Sequence, residues 1–380
     1  MNIIYCLPEM SLPGGIGRVT AIKSNYLVRH NHQVSIVTTC QKGSKSFYPL
    51  DPNIDFYDLG INFIDNRKLS LLRRLKNRTV LLKRYKKQLS VLIDKIKPDI
   101  VVSTFNTETS FLYKLKDGSK KILESHFNHD VLLIRNNAFN LSITRRIINI
   151  IKTYLNERLI KRYDVFVVLT EQDAKLWKYP NNLHVIPNMI SFENNEPTDI
   201  AQKQVIAVGR LDAQKRFDRL IDIWGKVVKK NKEWILQIYG KGPDIQLLKN
   251  QIARKNLENY IQINKPVTNI KEKYLESSIL TMTSSFEGLP LTLIEAMSLG
   301  IPCVSYSCKC GPADIITHEK NGFLIKEGDE SKFMSSLLML MENDELRRNM
   351  SHQAFLSSQR YSVDRIMSVW TKLFNETVKN

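Results

Sequence analysis

Length, composition and charge exclude several classes of protein. The chain has 380 residues, of which 43% are hydrophobic and 25% are charged, so it is expected to be globular rather than disordered or fibrous. Because a usual domain has roughly 100–200 residues, two domains are expected. No apolar run approaches the ~20 residues of a membrane span, and we expect no leader segment ahead of the first strand. The five cysteines are scattered, which favours reduced thiols and a cytoplasmic location over a disulfide framework.

The positive charge is concentrated in the first half of the chain. The net charge is +18; residues 1–190 hold 30 lysines and arginines against 15 acids, whereas residues 191–380 hold 26 against 23. Residues 67–97 contain twelve basic side chains and one acid, and residues 135–162 contain seven and one. Such patches bind polyanions: nucleic acid, anionic lipid headgroups or phosphorylated glycans. We expect no nucleic acid as partner, because the sequence has no recognisable nucleic-acid-binding motif and no aromatic stacking platform.

Apolar runs typical of strands alternate with helical patterns along both halves. In the first half the predicted strands are 2–7, 33–39, 100–104, 121–124 and 165–169, and the predicted helices are 17–29, 69–95, 143–162 and 171–176. In the second half the strands are 204–208, 234–239, 260–264, 279–283 and 301–306, and the helices are 217–229, 244–255, 269–276 and a short one within 290–300. The alternation predicts parallel sheets with right-handed crossovers. We therefore predict an α/β fold of two Rossmann-like domains, 1–189 and 190–360, facing across a cleft, and a last amphipathic helix within 361–380.

The predicted helix 69–95 keeps one apolar stripe, and basic side chains cover most of its remaining surface. It is either a helix packed on the core with a solvated basic face, or a helix near an anionic membrane surface, where each basic residue contributes about 1 kcal/mol. The sequence leaves both interpretations open.

Two glutamates stand between the last two predicted strands of the second domain. The connecting segment 284–300 reads SSFEGLPLTLIEAMSLG, and it predicts a short helix with Pro290 in its first turn and Gly300 at its left-handed end. Glu287 then lies on the loop beyond the carboxyl end of a strand, and Glu295 lies on the helix. Ligands bind at that edge of an open parallel sheet. The alternative is a solvated loop glutamate and a helix-face glutamate paired with a lysine.

Two further loops have the residue types of phosphate sites. Segment 209–217, GRLDAQKRF, follows a predicted strand, and its Arg210 and Lys215 could close on one diphosphate; the alternative is an ordinary solvated basic loop. The turn PGGIGRV at 13–19 opens the first helix, and its Gly15 and Gly17 would let the backbone approach a phosphate at a helix N-terminus. It is no dinucleotide fingerprint, because G-x-G-x-x-G is absent.

These segments together resemble the family 4 retaining glycosyltransferases, and the resemblance covers nearly the whole chain. Glu287 and Glu295 form its Glu-x7-Glu motif, followed by Ala296 and the strand start GIPCV at 300–304. The Gly-Gly-x-x-Arg-Val opening of the family also stands here, at 14–19.

Further family patterns recur with small departures. The Gly-Arg-Leu-x-x-x-Lys-Gly pattern begins at Gly209 and has Arg216 in place of its last glycine. The sequence NHQV at 31–34 replaces the usual Gly-His-x-Val. The turn GKGP at 240–243, which we interpret as mainly structural, and the segment CGPADII at 310–316 also match.

The resemblance implies a GT-B fold and a role for each candidate residue. Glu287 contacts hydroxyls of the donor sugar, Glu295 holds the ribose hydroxyls, and the loops that bind the donor supply the other contacts. The implied donor-binding residues are Gly15, Gly17, Arg210, Lys215, Gly288, Leu289, Pro290, Leu291 and Glu295. His126, at the end of a predicted strand, corresponds to a histidine near the reacting sugar, so His126 and Glu287 are the candidate catalytic residues. The last helix is implied to cross back onto the first domain.

We therefore expect a retaining glycosyltransferase that moves a hexose or N-acetylhexosamine from a nucleotide sugar, preferably UDP-linked, to a lipid-linked or cell-surface glycan. Polysaccharide, lipopolysaccharide and capsule synthesis are the expected settings, at the inner face of the membrane. No cofactor and no metal are expected, because Arg210 and Lys215 supply positive charge and no Asp-x-Asp motif ends a strand. The alternatives are a nucleotide-sugar epimerase of the same fold and a non-catalytic basic protein that binds polyanions or membranes.

Overall fold

The computed structural model describes residues 1–63, 71–131, 142–177, 181–192 and 194–379. Within these ranges the side chains of Leu71, Leu72, Arg74, Leu75 and Arg145 are outside the description. Parts of the two basic segments predicted at 67–97 and 135–162 therefore lie outside the described residues.

The first sheet has seven strands, and all of its pairings are parallel. The strands in chain order are β1 (Asn2–Leu7), β2 (Gln33–Thr38), β3 (Asp55–Asp58), β4 (Ile100–Ser103), β5 (Lys120–Glu124), β6 (Val165–Val168) and β7 (Leu183–Val185). The helices of this half are α1 (Gly15–Arg29), α2 (Leu71–Ile96), α3 (Ile143–Ile160) and α4 (Glu171–Ala174). Two short 3-10 helices, Thr107–Ser110 and Leu112–Lys114, follow β4.

The sequence predicted five of these seven strands. β3 and β7 were missed because they lie at the two edges of the sheet, are only four and three residues long, and contain no fully buried residue. A half-exposed edge strand of that length has no continuous apolar run by which to recognise it.

The second sheet has six parallel strands. They are β8 (Gln204–Val208), β9 (Ile235–Tyr239), β10 (Ile261–Asn264), β11 (Ile279–Met282), β12 (Cys303–Ser307) and β13 (Gly322–Lys326). The helices are α5 (Phe217–Val227), α6 (Ile245–Arg254), α7 (Ile270–Leu275), α8 (Leu291–Ser298), α9 (Pro312–Ile315), α10 (Glu330–Glu342), α11 (Asp344–Ser358) and α12 (Val363–Lys379), with a 3-10 turn at Gln359–Tyr361.

Both sheets are doubly wound, and their strand orders position the candidate loops. The order β3-β2-β1-β4-β5-β6-β7 reverses direction between β1 and β4, and the order β10-β9-β8-β11-β12-β13 reverses between β8 and β11. Crevices form at the carboxyl ends of the strands on either side of such a reversal. The glycine-rich turn follows β1, the Arg210 loop follows β8, and the Glu287 loop follows β11, so all three emerge at these two points.

The last helix packs on the first domain, although it follows the second in sequence. Its buried apolar side chains join the cluster formed by the first sheet and α1; they are Ile366, Met367, Trp370, Leu373 and Phe374. The chain therefore passes from the first domain to the second and returns. The domain limit predicted at 189/190 falls between β7 and β8, the last strand of one sheet and the first of the other.

Candidate active site

Loops from both domains meet at the facing carboxyl edges of the two sheets. A Cβ atom on Gly288 would lie only 2.6 Å from the carbonyl oxygen of His126. A Cβ atom on Gly15 would lie 3.2 Å from Cδ1 of Leu291. The turn after β11 therefore touches the turn after β5, and α8 touches the start of α1. Sequence positions far apart are brought together in one site.

Glu295 is the most enclosed acid of this site. It lies on α8, and its side chain is 2% exposed. Its Oε1 forms an ion pair with Nη1 of Arg18 and accepts a hydrogen bond of 2.6 Å from the hydroxyl of Ser191. Its Oε2 accepts a hydrogen bond of 3.1 Å from the hydroxyl of Tyr274. The carboxylate is thus held by the first domain, the interdomain connection and the second domain at once.

The charge of Glu295 alters the two ionisable groups beside it. Burial disfavours the charged guanidinium of Arg18, but Glu295, Tyr48 and Tyr274 together outweigh burial and raise the pKa of Arg18. Burial and the same carboxylate raise the pKa of the Tyr274 hydroxyl. Arg18 is therefore a permanent cation and Tyr274 a neutral donor, and both contact the carboxyl group of Glu295.

Local sequence explains why α8 presents Glu295 here. Pro290 immediately precedes the helix, and Gly300 follows it with φ of +76°, a left-handed conformation that favours glycine. The Gly300 end agrees with the prediction, whereas Pro290 is the extended N-cap residue and not part of the first turn. The eight-residue helix is therefore defined by its termini, and Glu295 lies on its fifth position.

Glu287 has a different cationic partner. Its Oε1 accepts a hydrogen bond of 2.6 Å from Nζ of Lys215, and the two side chains are 9% and 18% exposed. The carbonyl oxygen of Glu287 accepts a bond of 3.2 Å from Nδ2 of Asn128 in the first domain. Glu287 is thus an enclosed, paired carboxylate. It is not the solvated loop glutamate of the alternative interpretation.

The loop after β8 separates the two basic residues predicted to bind the diphosphate. The Arg210 side chain is 72% exposed and forms an ion pair with Asp212, whereas Lys215 turns inward to Glu287. Gln214, between them in the loop, donates a hydrogen bond of 3.0 Å from Nε2 to the carbonyl oxygen of Phe286. This loop is therefore joined to the Glu287 loop, with one cation enclosed and one accessible.

His126 lies two residues beyond β5, beneath the Gly288 turn. Its side chain is 4% exposed, and neither ring nitrogen has a hydrogen-bond partner among the described residues. Nε2 lies 3.5 Å from Oε1 of Glu124. Burial lowers the pKa of His126, and the cation of Lys23 lowers it further against the opposing effect of Glu124. The ring is therefore a neutral imidazole at pH 7.

A buried ion pair lies under His126. Nζ of Lys23 donates a hydrogen bond of 2.7 Å to Oε2 of Glu124 and lies 3.4 Å from the ring centroid of Trp370 on α12. Burial opposes ionisation of Glu124, but the pKa of that carboxyl is lowered on balance, and the charge of Lys23 is the leading cause of the lowering. The last helix thus supplies an aromatic face to the cation that stabilises Glu124.

The remaining predicted donor-binding residues surround these side chains. Gly15 is the first residue of α1, and Gly17 lies two residues further on, where a Cβ atom would be 3.7 Å from the ring of Tyr48. Leu289 is buried in the core of the second domain, whereas Leu291 is half-buried and packs against the core of the first. Pro290 lies against Gly311: a Cβ atom added to Gly311 would be 2.6 Å from Cδ of Pro290.

The sequence did not single out several residues that the structure brings into the site. Arg18 stood within a recognised motif, and its one-turn distance from Gly15 on α1 was an available signal. Ser191 was part of an interdomain connection, and Tyr274 was one aromatic residue on a short helix, so neither had a local signature. Likewise, the ion pair between Asp130 and Lys309 joins the two domains and has no local sequence signal.

The described residues show no grouping of three or more His, Cys, Asp or Glu side chains able to hold a metal ion. The absence of a metal requirement stays a prediction. All five cysteines are free and buried. No helix in the described ranges combines the length and apolar character required to cross a bilayer.

Two family profiles match the sequence. The profile of Glycosyltransferase Family 4 matches residues 13–194, and that of Glycosyl transferases group 1 matches residues 190–356. An uncharacterized glycosyltransferase of Haemophilus influenzae is 29% identical over 97% of this chain and 98% of that protein. The amylovoran biosynthesis glycosyltransferase AmsD of Erwinia amylovora is 27% identical over 98% of this chain and 99% of that protein.

A solved structure has the same architecture. A Staphylococcus aureus TarM mutant, in complex with fondaparinux, alpha-GlcNAc-glycerol and UDP, superposes with a TM-score of 0.80 at 19% sequence identity, covering 98% of this chain and 99% of that one. The predicted α/β class and GT-B fold of two Rossmann-like domains are thereby confirmed.

The fold and site together define a glycosyltransferase of the GT-B type. The chain belongs to the group 1 glycosyltransferases, within family 4. The predicted family is confirmed, and a glycosyltransferase is favoured over the epimerase and the non-catalytic basic protein.

Proposed function

We propose that this enzyme transfers a hexose or N-acetylhexosamine from a UDP-sugar to a polysaccharide or lipid-linked glycan, with retention of anomeric configuration. The observation that carries the proposal is the pairing of two enclosed glutamates with cations in the cleft. Glu287 contacts Lys215, and Glu295 contacts Arg18 from the opposite domain. The site thus has acceptors for sugar hydroxyls and cations for a diphosphate within the same loops.

Donor binding would exchange partners within these pairs. Ribose hydroxyls would donate to Glu295, and hydroxyls of the transferred sugar would donate to Glu287. Lys215 would then turn toward the diphosphate, where the exposed Arg210 supplies a second charge. A cation that faces the leaving diphosphate stabilises the charge that develops as the glycosidic bond breaks. No metal or cofactor is needed for that step in this proposal.

His126 would act beside the reacting sugar as a neutral ring. Its two unpartnered nitrogens are suited to one donated and one accepted hydrogen bond, which fits a sugar hydroxyl. A buried group that is left unpartnered by the protein is costly unless a ligand completes it. This supports His126 as a substrate contact.

The acceptor and location are proposed from charge and from relatives. AmsD is named for amylovoran biosynthesis, and the TarM complex contains UDP. The surplus of basic residues in the first half suits an anionic or membrane-bound acceptor, and peripheral association with the cytoplasmic face of the membrane. α2 buries Tyr85, Leu89 and Ile93 in the first-domain core, and the basic side chains of this helix that the structure describes are exposed.

A screen of nucleotide sugars tests the donor. Thermal shift with UDP-, GDP- and ADP-sugars is followed by an assay of donor hydrolysis, and the anomeric configuration of the transferred product is read by NMR. We expect a UDP-sugar to raise the melting temperature most and to be hydrolysed slowly without acceptor. Stabilisation by a GDP- or ADP-sugar alone, or an inverted product, would contradict the proposal.

A further inference from the structure

Helix α3 presents an apolar face to the outside of the protein. Nineteen large hydrophobic side chains of the described residues are exposed, and seven of them lie on this 18-residue helix, each between 43% and 76% exposed. They are Ile143, Ile147, Ile148, Ile150, Ile151, Tyr154 and Leu155. Scattered exposed apolar residues are normal, but a contiguous set of this size marks an interaction surface.

The helical spacing collects these side chains into one stripe. Ile143, Ile147, Ile151 and Leu155 follow one another at intervals of four, and such positions lie one above another along a helix. The helix is about 27 Å long at 1.5 Å per residue. The stripe, which we term the isoleucine face, therefore extends along most of α3.

The opposite side of α3 packs on the protein through mainly polar residues until its last turn, where Ile160 is buried in the first-domain core and Leu159 packs against that core. Thr153 is buried, and Asn149 and Asn156 are half-buried. Oε1 of Glu157 lies 2.8 Å from Nε2 of His129. The usual arrangement of a surface helix is reversed, since its apolar residues ordinarily face the core. The isoleucine face therefore lacks an explanation in the packing of the described residues.

The charges around the isoleucine face indicate what covers it. Lys152 and Arg158 are exposed, and the guanidinium of Arg158 lies 4.7 Å from the ring centroid of Tyr154. Glu157 is the one acid of the helix sequence, and it turns inward to His129. The outer side thus combines apolar and basic side chains, as in helices that lie in the interface of an anionic bilayer. A second copy in a two-fold contact would bring the same basic residues together, which disfavours self-association.

We propose that the isoleucine face of α3 inserts into the interface of an anionic lipid membrane. The basic side chains would contact headgroups, and the isoleucines would enter the acyl boundary. This extends the membrane association proposed above by assigning it to α3 and to apolar burial rather than to the charge of α2 alone.

The position of α3 relates the membrane to the active site. Glu157 of α3 contacts His129. Asp130, which follows His129 in the chain, pairs with Lys309 of the second domain. Asn128, on the same turn, donates to the carbonyl oxygen of Glu287. Docking through α3 would thus hold the cleft beside the bilayer surface, where a lipid-linked acceptor is presented.

Vesicle sedimentation with the full chain tests the proposal. The test variant is Ile147→Ser/Ile151→Ser, and the matched control is Val80→Ser/Val91→Ser, which removes two exposed aliphatic side chains from the basic helix α2. Vesicles contain equimolar phosphatidylcholine and phosphatidylglycerol, with pure phosphatidylcholine for comparison. We expect the test variant to bind anionic vesicles at least about tenfold more weakly than wild type, in low and high salt, because each isoleucine that enters an apolar phase contributes about tenfold.

The control is expected to bind as the wild type does. Equal sedimentation of the test variant and wild type, or equal loss in test and control, would overturn the proposal. A wild-type dimer that dissociates in the test variant would also overturn the proposal, because another copy would then cover the face. A melting temperature lowered only by the test substitutions would do the same, because another part of this chain would then cover it. UDP-sugar hydrolysis without acceptor is expected to persist in the test variant. Failure of membrane docking is therefore distinguishable from failure of the proposed enzymatic function.

Discussion

Arg18 of the first domain and Glu295 of the second form an ion pair across the cleft, with side chains 18% and 2% exposed. The pair joins α1, which follows β1, to α8, which follows β11. Both strands lie at the reversal points of the two sheets. The contact therefore links domain closure to the carboxylate proposed to hold the donor ribose.

A double-mutant cycle measures the strength of this contact. Arg18→Met and Glu295→Gln are each expected to destabilise the protein, and their coupling in urea unfolding is expected at about 1–3 kcal/mol, because contacting groups in one network interact by that order. The exposed pair Lys203–Glu233 is the matched control, and its coupling is expected to be indistinguishable from zero. Strict additivity for Arg18 and Glu295 would contradict an energetic link between the domains.

Glu287→Gln is expected to abolish most transfer while preserving the fold. The amide has the shape of the carboxyl group but lacks its negative charge. That charge pairs with Lys215 and, in the proposed function, accepts hydrogen bonds from hydroxyls of the donor. We expect turnover to fall about 10²-fold or more, the order seen when one polar contact to a transition state is lost. Product formation and melting temperature are measured together, with Glu342→Gln on an exposed position of α10 as the control. Turnover within a few-fold of wild type would refute the assigned role.

Gly288→Ala is expected to force the two domains apart at the cleft. The added Cβ atom would lie 2.6 Å from the carbonyl oxygen of His126, closer than a Cβ atom approaches a backbone oxygen. Backbone must shift on one side or the other, so we expect lower donor affinity, measured by calorimetric titration of the UDP-sugar found in the screen. Gly225→Ala in α5 is the control, because its Cβ meets a flexible leucine methyl at 3.3 Å. Unchanged donor affinity in Gly288→Ala would disprove the close approach.

The buried histidine predicts a pH dependence of stability. The pKa of His126 is lowered in the folded protein, chiefly by burial; Glu124 opposes the lowering, and Lys23 adds a smaller lowering. Below the ordinary histidine pKa of about 6.5 the unfolded chain gains a proton that the folded ring resists. The contribution of the neutral ring is therefore complete above about pH 6.5 and lost as the pH falls toward the folded pKa.

Melting temperatures of wild type and His126→Gln across this range test the sign. We expect wild type to lose more stability than the variant on acidification, since the variant has no ring to protonate. Parallel curves would mean that His126 takes up its proton equally in the folded and unfolded states.

The α/β alternation, the two-sheet architecture and the main candidate residues could be predicted from the sequence, because these signals are local. A strand such as β1 or β11 is a short buried run, and the ends of α8 are marked by Pro290 and Gly300. Glu287 and Glu295 were found through their position after a strand and through the resemblance of their segment to the Glu-x7-Glu motif of the family. Edge strands β3 and β7 lacked that local contrast and were missed.

Partners across the cleft could be decided only by the tertiary structure. No local sequence feature indicates that Arg18 pairs with Glu295, which is 277 residues away. None indicates that the ring of His126 is enclosed above Lys23 and Glu124. The same holds for α3, whose isoleucines give the periodicity of an ordinary core helix; only its packing reveals that they face outward. Periodicity records which side chains share a face, whereas the neighbours of that face depend on how distant elements pack.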